Sequence, residues 1–222
     1  MTDVVLAIEA SNPSGGAGVA VARADDAITS EALSPGTRHG DDLMPAIARL
    51  CEREGVSPHD LTRVVVSLGP GGYTGVRIAI TTAKLLAEAI GADLVGVPTA
   101  DVVAASLEAD RFPALICLAS KGATTYATRF EAPSDAGLPL GLLDASDLAG
   151  SGLKSLVADR HLPAPLRERA ASLELAIVEP TFDPAACLRL GRSHPATDPA
   201  TLAPIYPREP EAVRKWRELH PD

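Results

Sequence analysis

Residues 67–77 read SLGPGGYTGVR, which places Gly69, Gly71, Gly72 and Gly75, with Pro70 and Thr74, between an apolar run and a long helical one. Free N–H groups and the helix dipole at such a strand-to-helix turn can hold a phosphate. Neither common nucleotide fingerprint is complete here. A Walker loop, GxxxxGK[ST], needs Lys and Ser/Thr after its second glycine, where Val76 and Arg77 stand, and GxGxxG needs glycine where Thr74 stands. Glycines at a turn serve positive φ and close packing equally well. The loop therefore has two readings: it grips an anion, or it turns the chain and aims the next helix. A second polar stretch, EASNPSGG, puts Glu9 and Ser11 beside a glycine hairpin. Together with Gly71, Gly72 and Thr74 these are the candidate nucleotide-proximal residues; the alternative is a plain turn, for which Asn, Pro and Gly suffice.

Other catalytic sets do not form. There is no GxSxG, and His39, His59, His161, His194 and His220 make neither HExxH nor HxxxH. His39, in TRHGDDL, sits beside a helix start and reads as a capping or surface residue. Cys51, Cys117 and Cys187 are far apart without a CxxC pair, so neither a disulfide framework nor a metal site is expected. Lys and Arg number 20 against 29 Asp and Glu, a formal net charge of −9, and aromatics are 3%. That balance opposes binding nucleic acid alone, which needs clustered cations and stacking rings. The start, MTDVVLAIEAS, has no basic n-region, and no apolar run nears the ~18 residues of a membrane span. The expectation is a cytoplasmic protein with no membrane partner.

The chain is 46% hydrophobic over 222 residues, enough for a substantial core. VVLAIEA, VAVAR and ITSEALS read as three strands, the first two joined as a hairpin. A helix follows from about 41 to 54, with Leu43, Met44, Ile47, Leu50 and Cys51 at 3–4 spacing; Pro45 is placed in its first turn. RVVVSLG, the glycine loop, a second helix and DLVGV complete this half. ALICLA, TTYATRF, SLVA and LAIV read as strands of a second half, separated by loops such as APSDAGLPLG, and a short helix closes the chain near Val213, Trp216 and Leu219. The fold class is α/β with mixed sheets, divided at 1–103 and 104–222. The halves could be distant copies of one design.

The second helix carries most of the remaining signal. Arg77, Thr81, Lys84 and Glu88 form a polar ribbon roughly 60° wide on a helical projection, and apolar residues take most of the rest. A surface helix needs an apolar stripe of only about 100°. Either the helix is sandwiched inside its own domain, or one flank packs on the sheet while the other docks a second protein. On the second reading Leu43, Ile47, Val76, Ile80, Ala83 and Ala87 supply the contact, with Arg77 and Lys84 orienting it at the rim.

GPGGYTGVR resembles the signature of the TsaB (YeaZ) family, close to Gly-Pro-Gly-Ser-Phe-Thr-Gly-Leu/Val-Arg. LAIEAS, RHGDDLMPAI and AKLLAEAIGADLVGVPT are similar to the family's runs in the same order, over most of residues 4–100. Departures fall at Glu9, where the family has Asp, at LASKGATTY (Leu118–Tyr126), which lacks the family's Asp and Glu, and at Tyr206-Pro207-Arg208, where Pro replaces Leu. The resemblance implies a two-lobed actin/Hsp70/sugar-kinase-like fold with a reduced second lobe. It also implies a non-catalytic subunit that pairs with TsaD in forming threonylcarbamoyladenosine on tRNA, with TsaE as a further partner. On this reading the same helices support a homodimer, tRNA is met only through the complex, and a place for ATP or ADP stays open at the subunit junction. The competing reading is an independent ATPase or kinase-like enzyme using Glu9, Ser11, Gly71 and Thr74 around a phosphate.

Overall fold

A computed structural model describes residues 3–14, 16–24, 27–34, 39–150, 152–209 and 211–220. Unbroken apolar runs make strands that must be covered on both faces. Val4–Glu9 (β1) is one, with all six residues buried. It pairs antiparallel with Gly18–Arg23 (β2), Glu9 opposite Gly18, and β2 pairs with Thr29–Ala32 (β3). On its other side β1 runs parallel to Arg63–Ser67 (β4), which is itself parallel to Asp93–Val97 (β5). The sheet order is β3-β2-β1-β4-β5.

His39–Arg53 (α1) and Tyr73–Ile90 (α2) cover one face of this sheet. Leu43, Ile47 and Leu50 of α1 and Val76, Ala79, Ile80, Ala83 and Ala87 of α2 meet Leu6, Ile8, Val19, Val64 and Val66 in one core. Gly91, in the left-handed region at φ 69°, closes α2 by donating its N–H to the Ala87 carbonyl. Because α1 begins earlier than the sequence suggests, Pro45 lies inside the helix rather than in its first turn. Pro45 is exposed there, so the carbonyl it leaves without an intrahelical donor can reach water.

Ala114–Lys121 (β6), Thr124–Phe130 (β7), Leu138–Leu143 (β8), Ser155–Ala158 (β9) and Ala176–Val178 (β10) form a second sheet, ordered β10-β9-β6-β7-β8. Taken from its other edge, this is the order of the first sheet, so the two halves share one topology. Segment 138–143, expected as loop, is the edge strand β8. Pro139 and Gly141 (φ 86°) argue for a loop in sequence, but an edge strand with a register shift opposite Ala127/Thr128 accommodates both.

The remaining helices are Thr99–Ala104 (α3), Ala164–Ser172 (α4), Pro184–Ser193 (α5) and Glu211–Leu219 (α6). α3 follows the first sheet yet packs Ala100, Val103 and Ala104 with Ile116, Leu118 and Phe130 of the second. α5 follows the second sheet yet packs Ala186, Cys187 and Leu188 with Val5, Ala7, Ala20 and Val65 of the first. Asp183 caps α5 by accepting the Ala185 and Ala186 N–H groups at 2.9 and 3.1 Å. α4 covers the second sheet with Leu166 and Ala170. The result is the two-lobed α/β fold with mixed sheets, its second lobe reduced: no helix among the described residues joins β8 to β9. Among the described residues no helix is long and apolar enough to cross a membrane.

Candidate functional site: an interlobe cleft and a helical face

The glycine loop lies directly against the first hairpin. A Cβ on Gly71 would stand 2.1 Å from the Ser11 carbonyl oxygen, and the Gly72 N–H donates to that same oxygen at 2.7 Å. Gly71 is thus required by close approach, and the Gly72 N–H is engaged within the protein rather than aimed at an anion. Of the two readings of this loop, the geometry favours the turn that sets α2.

Behind the loop, Glu9 is fully buried. Its Oε1 accepts from the Ser11 N–H at 2.7 Å and from the Ser11 hydroxyl. Its Oε2 has no hydrogen-bond partner among the described residues, and neither have the buried hydroxyls of Ser67 and Thr99. Burial pushes the Glu9 carboxyl above its usual range; the hydrogen bonds from Ser11 oppose that rise and the Asp183 charge adds to it. The expected nucleotide-proximal set is therefore split. Glu9 and Ser11 face the interior, Gly71 and Gly72 line a cleft, and Thr74 is exposed beside it. The physical cause is strand alternation: Glu9 falls on the face of β1 shared with Val5 and Ala7, which α5 covers, and the α5 cap Asp183 acts on its carboxyl.

The cleft has a volume of about 780 Å³ and lies between the lobes. One wall is the glycine loop with Tyr73 and Arg77; the other is Ala119–Lys121 with Asp159 and His161. Residues 205–208 strap the two together. The Ile205 N–H donates to the Leu68 carbonyl at 2.8 Å, and Arg77 Nε donates to the Tyr206 hydroxyl at 2.5 Å. The Arg77 guanidinium also lies 4.0 Å from the centre of the Tyr73 ring. Arg208 reaches the second lobe, donating to the Ala119 carbonyl and to Thr124 O and Oγ1 at 3.0 and 2.8 Å. Burial lowers the Arg208 pKa. Pro207 between Tyr206 and Arg208 does not prevent this span. Sequence reasoning missed Lys121 and His161; their one signal was a Lys-Gly pair at a hairpin, which names a turn but not what it faces.

The three cysteines are buried and free, and burial pushes the Cys117 thiol up to about 12. Such a thiol is a poor nucleophile. Among the described residues no group of three or more His, Cys, Asp or Glu could hold a metal ion. The side chain of His39 lies outside the described residues.

The expected interface residues are also divided. Leu43, Ile47, Val76, Ile80, Ala83 and Ala87 are each at most 5% exposed. They form the flank of α1 and α2 that packs on the sheet, so the outward flank differs from the one expected. Arg77 is exposed and Lys84 half-buried. The large aliphatic side chains of the two helices that face outward are Leu85, at 64% exposure, and Met44, at 46%; on α2 Ala89 is also exposed, and Ile78 is half-buried against the core. On a helical projection Ile78, Leu85 and Ala89 fall on the far side of the polar ribbon from Ile80 and Ala83.

A family model described as TsaD, tRNA N6-adenosine threonylcarbamoyltransferase, matches residues 34–133. An uncharacterized protein of Mycobacterium tuberculosis is 30% identical over 210 residues, covering 94% of this chain and 93% of that one. The tRNA threonylcarbamoyladenosine biosynthesis protein TsaB of Bacillus subtilis is 36% identical over 102 residues. The chain belongs to the TsaB/YeaZ family. The match to the Bacillus TsaB covers 46% of this chain and 44% of that protein, less than half of either. Among solved structures, a Pseudomonas aeruginosa protein with similarity to peptidase YeaZ superposes with a TM-score of 0.72 at 17% identity, covering 93% of this chain and 100% of that one. YeaZ of the same organism gives 0.68, also at 17%, covering 92% and 99%. The shared fold of the TsaB/YeaZ family thus extends through the second lobe, where the sequence signature fades.

Proposed function

We propose that this chain is a partner-binding subunit acting in tRNA threonylcarbamoyladenosine biosynthesis in the cytoplasm, and that it docks a TsaD-type protein through the outer faces of α1 and α2. The Bacillus relative's name supports the process. The observation that carries the docking surface is the pair of exposed large apolar side chains Leu85 on α2 and Met44 on α1, with Ala89 exposed on the same flank of α2 as Leu85 and with Arg77 and Lys84 on the neighbouring polar ribbon. Large apolar side chains at that exposure gain most when a partner removes them from water. A second copy of the chain would compete for the same face, and TsaE would join the assembled pair.

The test is light scattering after size exclusion, on this chain alone and mixed with TsaD from the same organism. Leu85→Glu and Met44→Glu are expected to abolish the mixed species while leaving the thermal melt unchanged, because both side chains point outward. Ile80→Glu is unsuitable, since a carboxylate at a site 4% exposed would unfold the lobe. Failure of the unaltered chain to pair, with and without ATP and TsaE, would overturn the reading. Pairing that survives both substitutions would move the surface elsewhere.

A further inference from the structure

A second cavity, of about 300 Å³, lies in the second lobe beside its outer strand β10. It shares no lining residue with the interlobe cleft or with α1 and α2. We propose that it binds a free α-amino acid with an aliphatic side chain. Arg111 donates to the carboxylate, Glu108 and Glu179 accept from the ammonium, and Val103, Leu107 and Val178 meet the side chain.

The path of the chain makes the cavity. Val103 lies near the end of α3, and Leu107, Glu108 and Arg111 belong to the stretch that runs from α3 to β6. Val178 ends β10, and Glu179 begins the stretch that runs from β10 to α5. These are two of the passages by which the chain crosses between the lobes, and Val157 of β9 lies between them. Because α3 is six residues long, its cover over the second sheet stops here. Leu107 and Val178 are left half-buried at the edge of the core that holds Val103 and Val157. An aliphatic group seated on them would remove apolar surface that the fold leaves partly wet.

The charges select the ligand. One guanidinium and two carboxylates line the cavity. A simple anion would be repelled by Glu108 and Glu179, and a simple cation by Arg111. A zwitterion matches both signs, and an α-amino acid carries its two charges on one carbon, as a site at the small end of ligand cavities requires.

The same three groups are available to it. Arg111 Nε is 3.7 Å from Glu108 Oε2 and 3.7 Å from Asp110 Oδ1, too far for hydrogen bonds. Its planar fork therefore stays open to a carboxylate. The Glu179 side chain has no ion pair or hydrogen bond among the described residues. Ser106, also on the lining, donates its hydroxyl to the Val102 carbonyl at 3.0 Å and keeps its lone pairs for an ammonium. The backbone that presents Arg111 is held in place. Its N–H donates to the Glu108 carbonyl at 3.0 Å, and its carbonyl accepts from the Ser155 hydroxyl at 2.8 Å.

Heteronuclear NMR titration of the full chain with valine, isovalerate and isobutylamine tests this, since isovalerate lacks the ammonium of valine and isobutylamine its carboxylate. Valine is expected to shift the amides of residues 103–111 and 178–181 saturably, and each single-charge analogue should bind about tenfold more weakly. Arg111→Gln and Glu179→Gln should each weaken valine about tenfold with an unchanged melting temperature. Glu168→Gln, at an exposed position on α4, should leave valine binding unaltered. No saturable shift with valine, an analogue that binds as tightly as valine, or valine binding that neither Arg111→Gln nor Glu179→Gln weakens would each overturn the proposal.

Discussion

Both lobes are built on five strands in the same order, but they are finished differently. In the first, α1 (15 residues) and α2 (18 residues) cover one face of the sheet. In the second, no described helix stands between β8 and β9, and α4 is nine residues long. Each lobe also covers a face with a helix that follows the other lobe's sheet: α3 from the first packs on the second, and α5 from the second packs on the first. The edges differ as well. Glu31 on β3 pairs with Arg49 and Arg53 at 2.8 and 3.0 Å, whereas β8 carries exposed Leu138, Leu140 and Leu142 with Pro139 as its guard. The difference teaches that repeating a sheet topology does not repeat a function. Only the first lobe carries two long helices side by side on one face of its sheet, and the second contributes one wall of the cleft.

The strongest way to break this comparison is through the exchanged helices. Leu188→Ala in the exchanged α5 and, for comparison, Leu166→Ala in α4, which stays on its own sheet, each remove a side chain at most 1% exposed and should each cost about 3 kcal/mol in urea unfolding. If the exchange joins the lobes, both substitutions shift a single transition. Hydrogen exchange showing the second lobe opening alone in Leu166→Ala would separate them.

Paired glycines give a smaller contrast. Gly71→Ala drives a Cβ against a backbone carbonyl that no rotamer change can move, and should cost about 2–3 kcal/mol. Gly122→Ala, at φ 62° with nothing within 4 Å, carries only the conformational penalty and should cost about 1 kcal/mol. Equal losses in thermal or urea unfolding would show that the loop is not held by its contact with Ser11.

The smallest effect is expected from Glu9, a carboxyl that is fully buried. β1 ends in Glu9, whereas the corresponding end of β6 holds the bulge at Ala119. Burial raises the native pKa of Glu9, so between the ordinary carboxylate range and that raised value the folded chain retains a proton which the unfolded chain has released. Stability then falls as pH rises through that window. Glu9→Gln keeps an acceptor for Ser11 and removes the titration. Its advantage over the unaltered chain in urea midpoint should therefore grow from about pH 4 upward. A constant difference across pH would mean that Glu9 titrates as an ordinary carboxyl.

Much of the fold was legible because burial on two faces leaves an unbroken apolar run. DLVGV, TTYATRF and SLVA are strands with the bounds their β-branched and aromatic content suggests. β8 was not legible, since proline and glycine carry the same signal at a tolerant edge as in a loop. Nor was α4, whose nine residues hold two buried side chains, Leu166 and Ala170, too few for periodicity to register. Part of the candidate site was visible as Arg77, Tyr206 and Arg208. Lys121 and His161 were not, because they come from separate strand ends that only the second sheet brings together.

The sequence by itself determined the α/β class, the strand-loop-helix at Gly69–Arg77, the family resemblance and the presence of two apolar flanks on α2. All of these follow from local propensity and periodicity, which reside in neighbouring residues. Tertiary structure alone decided which flank of α2 turns outward, that Glu9 is fully buried on the face covered by α5, that α3 and α5 exchange sheets, and that residues 205–208 tie the lobes. Those outcomes depend on contacts between segments distant in the chain, and no local pattern records which surface will be covered by a partner element a hundred residues away.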